Sequence, residues 1–139
     1  MPEYKKIILE EREGVAVLTL NSPEDRNPLT EETKAEILSA LSHVEQADEL
    51  RALVITGRGA AFCAGGDVKK IGGKITPEDT REIMQNSQKL LRRLINLEKP
   101  VVASVNGDAF GMGCNLVLAT DFPVVSEKAR FCQVYVKLG

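Results

Sequence analysis

Two glycine-containing turns are the stretches of this chain whose residue types could do chemistry. The first is residues 61–67 (AFCAGGD), and the second is residues 107–114 (GDAFGMGC). Small residues let the backbone approach a ligand, and glycine takes φ values that other residues avoid. Such a turn can direct backbone N–H groups at an oxygen and stabilise a developing negative charge. One turn alone is weak evidence, because a tight structural turn needs the same residues, but donors from two turns would form an oxyanion hole.

Apolar runs with the composition of buried strands precede both turns. Residues 51–56 (RALVIT) lead into the first turn, and residues 101–105 (VVASV) lead towards the second. Residues 115–119 (NLVLA) continue from the second turn and predict a mostly apolar helix. The second turn is therefore expected between a strand and a helix.

The remaining segments alternate between strand and helix patterns. Further strands are predicted at residues 6–10, 15–20, 122–125 and 131–136. Helices are predicted after Thr30 and after Thr76, because each can cap a helix whose first turn is acidic. The first helix carries an apolar stripe of Ile37, Leu38, Leu41, Val44 and Ala47. Strands that alternate with helices favour an α/β fold with crossover connections.

Composition and charge argue against several classes of function. The 139 residues are 43% hydrophobic and 27% charged, which is typical of one globular domain. A net charge of −2 does not favour nucleic acid or an anionic membrane, and no apolar run approaches a membrane span. The three separated cysteines, Cys63, Cys114 and Cys132, form no disulfide framework and, with His43 as the single histidine, no recognisable metal site. With no signal-peptide core at the N-terminus, the sequence predicts a cytoplasmic protein without a metal.

The ordered set of motifs resembles the enoyl-CoA hydratase/isomerase (crotonase) superfamily over nearly the whole chain. The motifs that carry this resemblance are residues 15–23, 26–29, 53–57, 62–67, 99–107, 111–113, 119–122 and 129–131. The resemblance implies a crotonase-like (ClpP/crotonase) α/β fold of stacked β-β-α units. It also implies an acyl-CoA thioester as the ligand, with no cofactor beyond the CoA carried by the substrate.

The resemblance also assigns roles to particular residues. The N–H groups of Gly66 and Met112 would form the oxyanion hole. An alternative role for Met112 is packing of the helix that is predicted after the second glycine turn. The backbone that would hold the adenine and pantetheine parts of CoA is that of Ala64, Gly65, Gly66, Asp67 and Val68. The cations expected near the CoA phosphates are Arg26, Lys69 and Lys70. A solvated loop charge is the alternative for Arg26.

The sequence departs from the hydratase pattern at two positions. Hydratases of this family use two glutamates, and the matching positions here are Asn115 and Tyr135. The resemblance therefore favours double-bond isomerisation, with a single acid expected in a loop beyond Gly139. The alternatives are a hydratase with altered catalytic residues, other enolate chemistry such as decarboxylation or thioester hydrolysis, a non-catalytic acyl-CoA binder, and a structural α/β domain.

Length adds one more expectation. Members of the family are roughly twice as long as this chain. Residues 1–139 are therefore expected to form the N-terminal part of a single crotonase-like domain that is apparently truncated, without the C-terminal helices. The resemblance further implies a homo-oligomer, either a trimer or a hexamer.

Overall fold

The computed structural model describes residues 2–67 and 73–138. Within these ranges the chain forms ten strands, four α-helices and a short 3-10 helix at Pro23–Asp25. The strands are β1 (Ile7–Arg12), β2 (Val15–Leu20), β3 (Pro28–Leu29), β4 (Ala52–Gly57), β5 (Ala61–Cys63), β6 (Gly65–Gly66), β7 (Val101–Val105), β8 (Asp108–Phe110), β9 (Phe122–Val125) and β10 (Phe131–Cys132). The helices are α1 (Glu31–Gln46), α2 (Pro77–Ile95), α3 (Met112–Leu118) and α4 (Tyr135–Leu138). Val68, Lys69, Lys70 and Gly139, which the predictions above include, lie outside the described residues.

The main sheet has five strands in the order β1-β2-β4-β7-β9. β1 and β2 form an antiparallel hairpin, and the other neighbours in this sheet are parallel. The hairpin turns at Glu13 and Gly14, which both have positive φ, as a tight two-residue hairpin turn requires. Two smaller parallel sheets, β10-β8-β5 and β3-β6, contain the short strands of the two glycine turns.

The helices begin where the capping pattern predicts. The Thr30 side chain accepts a hydrogen bond from the Thr33 N–H at 3.1 Å. Thr76 and Asp79 form a reciprocal capping box, and Pro77 occupies the first helical position of α2. α1 and α2 pack against each other, and residues of both contribute to one hydrophobic core with the main sheet. This core includes Leu18, Leu41, Ile55, Leu90 and Leu116.

The predicted strand at residues 131–136 is wrong beyond Cys132. β10 pairs with β8 over only two residues, because β8 itself ends at Phe110, where the chain turns into α3. Without a neighbouring strand to continue the ladder, the chain turns into the short helix α4, and Lys137 N–H donates to the Val134 carbonyl at 2.9 Å. The aromatic and β-branched composition of this segment indicated a strand, but the available partner decided its structure.

Candidate active site

The two glycine turns lie side by side because each of them begins with one strand of a parallel pair. β5 and β8 are parallel, with Cys63 opposite Ala109. Gly65 has a φ of +101°, and a Cβ there would lie 2.7 Å from the Phe110 carbonyl oxygen and 3.6 Å from the Met112 nitrogen. Two turns that approach this closely leave no room for a side chain at position 65, which accounts for the glycine in physical terms.

A second close contact fixes the start of α3. A Cβ at Gly113 would lie 2.3 Å from the Cys63 carbonyl oxygen, so the first turn of this helix packs directly on β5. Met112 is the first residue of the helix, and its N–H therefore has no carbonyl partner within the helix. Gly66 lies in the first glycine turn, where it is opposite Leu29 in the β3-β6 pair. Both predicted oxyanion donors thus belong to one compact assembly.

Both donors line a cavity of about 500 Å³. The predicted site residues in its wall are Ala64, Gly66, Asp67, Met112, Asn115 and Tyr135. Its other lining residues are Leu29, Glu31, Lys34, Ile83, Met84, Ser87, Gln88, Leu91, Gly111 and Val134. Gly65 and Arg26 lie outside this wall. Much of the lining is apolar, which suits a ligand with a hydrocarbon part.

The structure places Asn115 and Tyr135 together at the cavity. The Asn115 amide nitrogen lies 3.5 Å from the Tyr135 hydroxyl, and its amide oxygen accepts from Gln133 at 2.7 Å. Burial raises the pKa of the Tyr135 phenol, with the nearby Cys114 and Cys63 thiols adding to the rise. At neutral pH this pair therefore offers neutral hydrogen-bonding groups to the cavity.

Arg26 is placed next to the site and is held there by an ion pair. Its guanidinium donates to Asp108 Oδ2 at 3.0 Å, and Arg130 donates to the same carboxylate at 2.6 and 3.1 Å. The Arg26 carbonyl accepts from the Ala64 N–H at 2.9 Å. The hydrogen bond from Arg130 is the main cause of the lowered pKa of Asp108, with a smaller contribution from Arg26 and an opposing one from desolvation. This cluster ties the loop before β3 to the second glycine turn.

Sequence reasoning missed a polar cluster in the wall, formed by Glu31, Lys34 and Ser87. The Lys34 ammonium lies 2.5 Å from Glu31 Oε1 and donates to Ser87 Oγ at 3.1 Å. A signal was present, because Lys34 precedes Ile37 and Leu38 by three and four residues. That spacing puts the lysine on the buried face of α1, where an apolar residue is normal.

In the part of the chain that the structure describes, histidine, cysteine and acidic side chains do not gather in a group of three that could hold a metal ion. The described helices include none that is both long and apolar enough to cross a membrane.

This chain is similar to a known family and to proteins whose names refer to CoA thioesters. The model of the enoyl-CoA hydratase/isomerase family matches residues 10–139. A crotonyl-CoA hydratase of Syntrophomonas wolfei is 39% identical over 98% of this chain and 52% of its own length. A 1,2-epoxyphenylacetyl-CoA isomerase of Escherichia coli is 38% identical over 91% of this chain and 49% of its own length.

Solved structures confirm the predicted crotonase-like α/β fold. The crystal structure of an enoyl-CoA hydratase from Mycobacterium smegmatis superposes with a TM-score of 0.93 at 30% identity, covering 97% of this chain and 53% of that one. The chain spans about half the length of the curated relatives it matches. It belongs to the enoyl-CoA hydratase/isomerase family.

Proposed function

We propose that this protein binds an acyl-CoA thioester, stabilises its enolate, and moves a carbon–carbon double bond rather than adding water across it. The observation that carries the proposal is the neutral pair of Asn115 and Tyr135 beside two closely packed glycine turns. The relatives' names support an acyl-CoA ligand and include both hydratases and isomerases.

The backbone would supply the stabilisation of negative charge. In the proposal, the N–H groups of Gly66 and Met112 donate to the thioester oxygen, where charge accumulates as the α-proton leaves. Removing one donor of this kind typically lowers kcat by about 10²–10³-fold. Because CoA arrives with the substrate, the proposed reaction requires no separate cofactor.

The choice of isomerisation over hydration follows from the side chains at the cavity. Hydration needs one group that activates water and a source of the proton that reaches the α-carbon. The Asn115 amide does not accept a proton near neutral pH, and the raised pKa of Tyr135 keeps its hydroxyl protonated. Isomerisation needs one acid–base group that takes a proton from one carbon and returns it to another. In the proposal this group is the single acid that the family resemblance expects in a loop beyond Gly139, and Asn115 and Tyr135 serve as hydrogen-bond donors.

The test is proton exchange by the whole protein in heavy water. With 2-enoyl-CoA and 3-enoyl-CoA substrates, we expect deuterium at the α- or γ-carbon and interconversion of the two isomers, measured by mass spectrometry and NMR. Accumulation of 3-hydroxyacyl-CoA as the main product would contradict isomerisation and favour a hydratase with altered catalytic residues. Absence of exchange with every substrate would contradict the enolate chemistry itself.

A carboxylate variant sharpens this test. Asn115→Glu restores one glutamate of the hydratase pattern, and we expect it to raise the rate of hydration about tenfold or more relative to Asn115→Ala. The alanine variant controls for loss of the amide and its bond to Gln133. Equal hydration by the two variants would show that position 115 does not decide the reaction.

The lack of a carboxylate at positions 115 and 135 also favours a second candidate, a non-catalytic acyl-CoA binder. This candidate predicts that CoA thioesters bind, as measured by calorimetry, without exchange of any proton. The homo-oligomer that the family resemblance implies, a trimer or a hexamer, belongs to both proposals and is measured by sedimentation.

A further inference from the structure

The cavity wall between α1 and α2 contains a buried charge for which the proposed reaction has no use. The Lys34 side chain is only 4% exposed and lines the cavity as part of the polar cluster with Glu31 and Ser87. Ile83 and Met84 make the neighbouring wall apolar. A hydrocarbon chain would gain nothing from an ammonium group at this place.

A buried ion pair is weak evidence that this lysine serves stability alone. Desolvating an ammonium and a carboxylate costs several kcal/mol for each ion, and their attraction often does no more than offset that cost. An apolar side chain of similar volume is commonly as stable or more stable at such a position. The cluster does link the two helices, because the second Glu31 oxygen accepts from Asn86 at 2.6 Å. If Lys34 serves packing alone, its replacement should lower stability and leave substrate preference unchanged, whereas a role in binding predicts a change in substrate preference.

The contacts of the ammonium show what it could bind. Of the acceptors around Lys34, Glu31 and Ser87 are close, whereas the Ile83 carbonyl is 3.5 Å away, at the limit of a hydrogen bond. An oxygen in the cavity could replace that weakest contact. Because Glu31 already balances the positive charge, a neutral oxygen fits better than a second carboxylate.

We propose that the polar cluster is a specificity subsite for an acyl group that carries a hydroxyl or carbonyl oxygen. This inference rests on the proposed function, in which the acyl-CoA thioester lies between Gly66 and Met112. The charged phosphates of CoA are costly to bury, so the enclosed part of the cavity holds the acyl group. Lys34 donates to the acyl oxygen there, while Glu31 and Ser87 orient the ammonium.

The experiment compares matched acyl-CoA pairs in the whole protein. Each pair has the same number of carbons, and one member carries a hydroxyl group, moved to successive positions along the chain. We expect kcat/KM for the best hydroxylated substrate to exceed that of its plain partner, and Lys34→Met to reduce this ratio roughly 10- to 100-fold. Ser87→Ala, which removes one neighbour of the ammonium, should reduce it less.

Lys99→Met is the matched control. The Lys99 ammonium donates to the Val44 and Ala47 carbonyls, both at 2.6 Å, and so caps the far end of α1 away from the cavity. This variant loses the hydrogen bonds of a lysine to the same helix and should keep the wild-type ratio of kcat/KM between the hydroxylated and plain substrates. Dissociation constants of saturated acyl-CoA pairs provide the same comparison without turnover.

Three results would overturn the inference. A wild-type protein that handles both members of every pair equally has no such subsite, although the proposed function would stand. A Lys34→Met variant that keeps the wild-type ratio and is merely less stable shows that the lysine acts in packing. A wild-type protein that binds no acyl-CoA overturns both the subsite and the proposed function.

Discussion

The close packing of the two glycine turns predicts a large effect of one methyl group at Gly65. In Gly65→Ala the new Cβ would stand 2.7 Å from the Phe110 carbonyl oxygen, and the residue would keep a φ near +101°. A positive φ costs an L-residue about 1–2 kcal/mol. Forcing a methyl group into packed backbone costs about 1–3 kcal/mol more. We therefore expect a loss of about 2–5 kcal/mol in the free energy of unfolding.

Gly14→Ala is the control, because it has the cost of a positive φ and little of the cost of crowding the new methyl group. Gly14 has a φ of +81° in the β1-β2 turn, and its nearest neighbour is the Arg51 guanidinium at 2.9 Å, which can move aside. The expected loss is about 1–2 kcal/mol. Urea unfolding followed by circular dichroism measures both values in the whole protein.

Turnover separates a local effect from a general loss of stability. The clash of a Cβ at position 65 with the Phe110 carbonyl oxygen would displace the turn that leads to the Met112 nitrogen. If Met112 N–H is an oxyanion donor, as proposed, its displacement should lower acyl-CoA turnover by roughly 10- to 100-fold in folded Gly65→Ala. Gly14→Ala should keep wild-type turnover. If the two variants lose equal stability, or if folded Gly65→Ala turns over normally, contact between the turns does not create the site.

Two further predictions concern ionisable groups. Arg130 lowers the pKa of Asp108, so this carboxylate stabilises the fold above its unfolded pKa of about 4 and loses that contribution as pH falls further. The stability gap between wild type and Asp108→Asn, measured by urea unfolding, should be full at pH 7 and shrink towards pH 3; a constant gap would contradict the ion-pair origin. Burial raises the pKa of the Cys63 thiol to about 12, so iodoacetamide at pH 8 should label the partly exposed Cys132 before Cys63. Early labelling of Cys63 in the folded protein, seen by peptide mass spectrometry, would contradict its burial.

Local patterns predicted much of the fold because caps and apolar runs act over a few residues. Thr30 and Thr76 cap the helices that their sequences indicate. Residues 15–20 and 101–105 form strands as their β-branched runs predict. The resemblance to the family predicted that Asn115 and Tyr135 belong to one site, and the structure places them in contact.

Features that depend on distant partners could not be read from local pattern. Residues 133–136 have strand composition, yet β8 ends before it could pair with them. The charge of Arg26 predicts a phosphate contact or a solvated side chain, and neither prediction includes the ion pair that its half-exposed guanidinium forms with Asp108, far along the chain. Lys34 lies on the same face of α1 as the apolar stripe and precedes it, but only the packing of α2 shows that Ser87 receives one of its hydrogen bonds.

The way the two turns are joined also bears on how the protein folds. β5 and β8 are parallel, and a long loop that includes α2 separates them in the chain. The entropic cost of closing this loop comes before the contacts between the two strands can stabilise the fold. Non-local parallel pairing of this kind slows folding. Gly65 and Met112 should therefore meet late, after the β1-β2 hairpin and the helices have formed. Acyl-CoA binding during refolding would then report completion of the native topology, and would lag behind the recovery of helical circular dichroism.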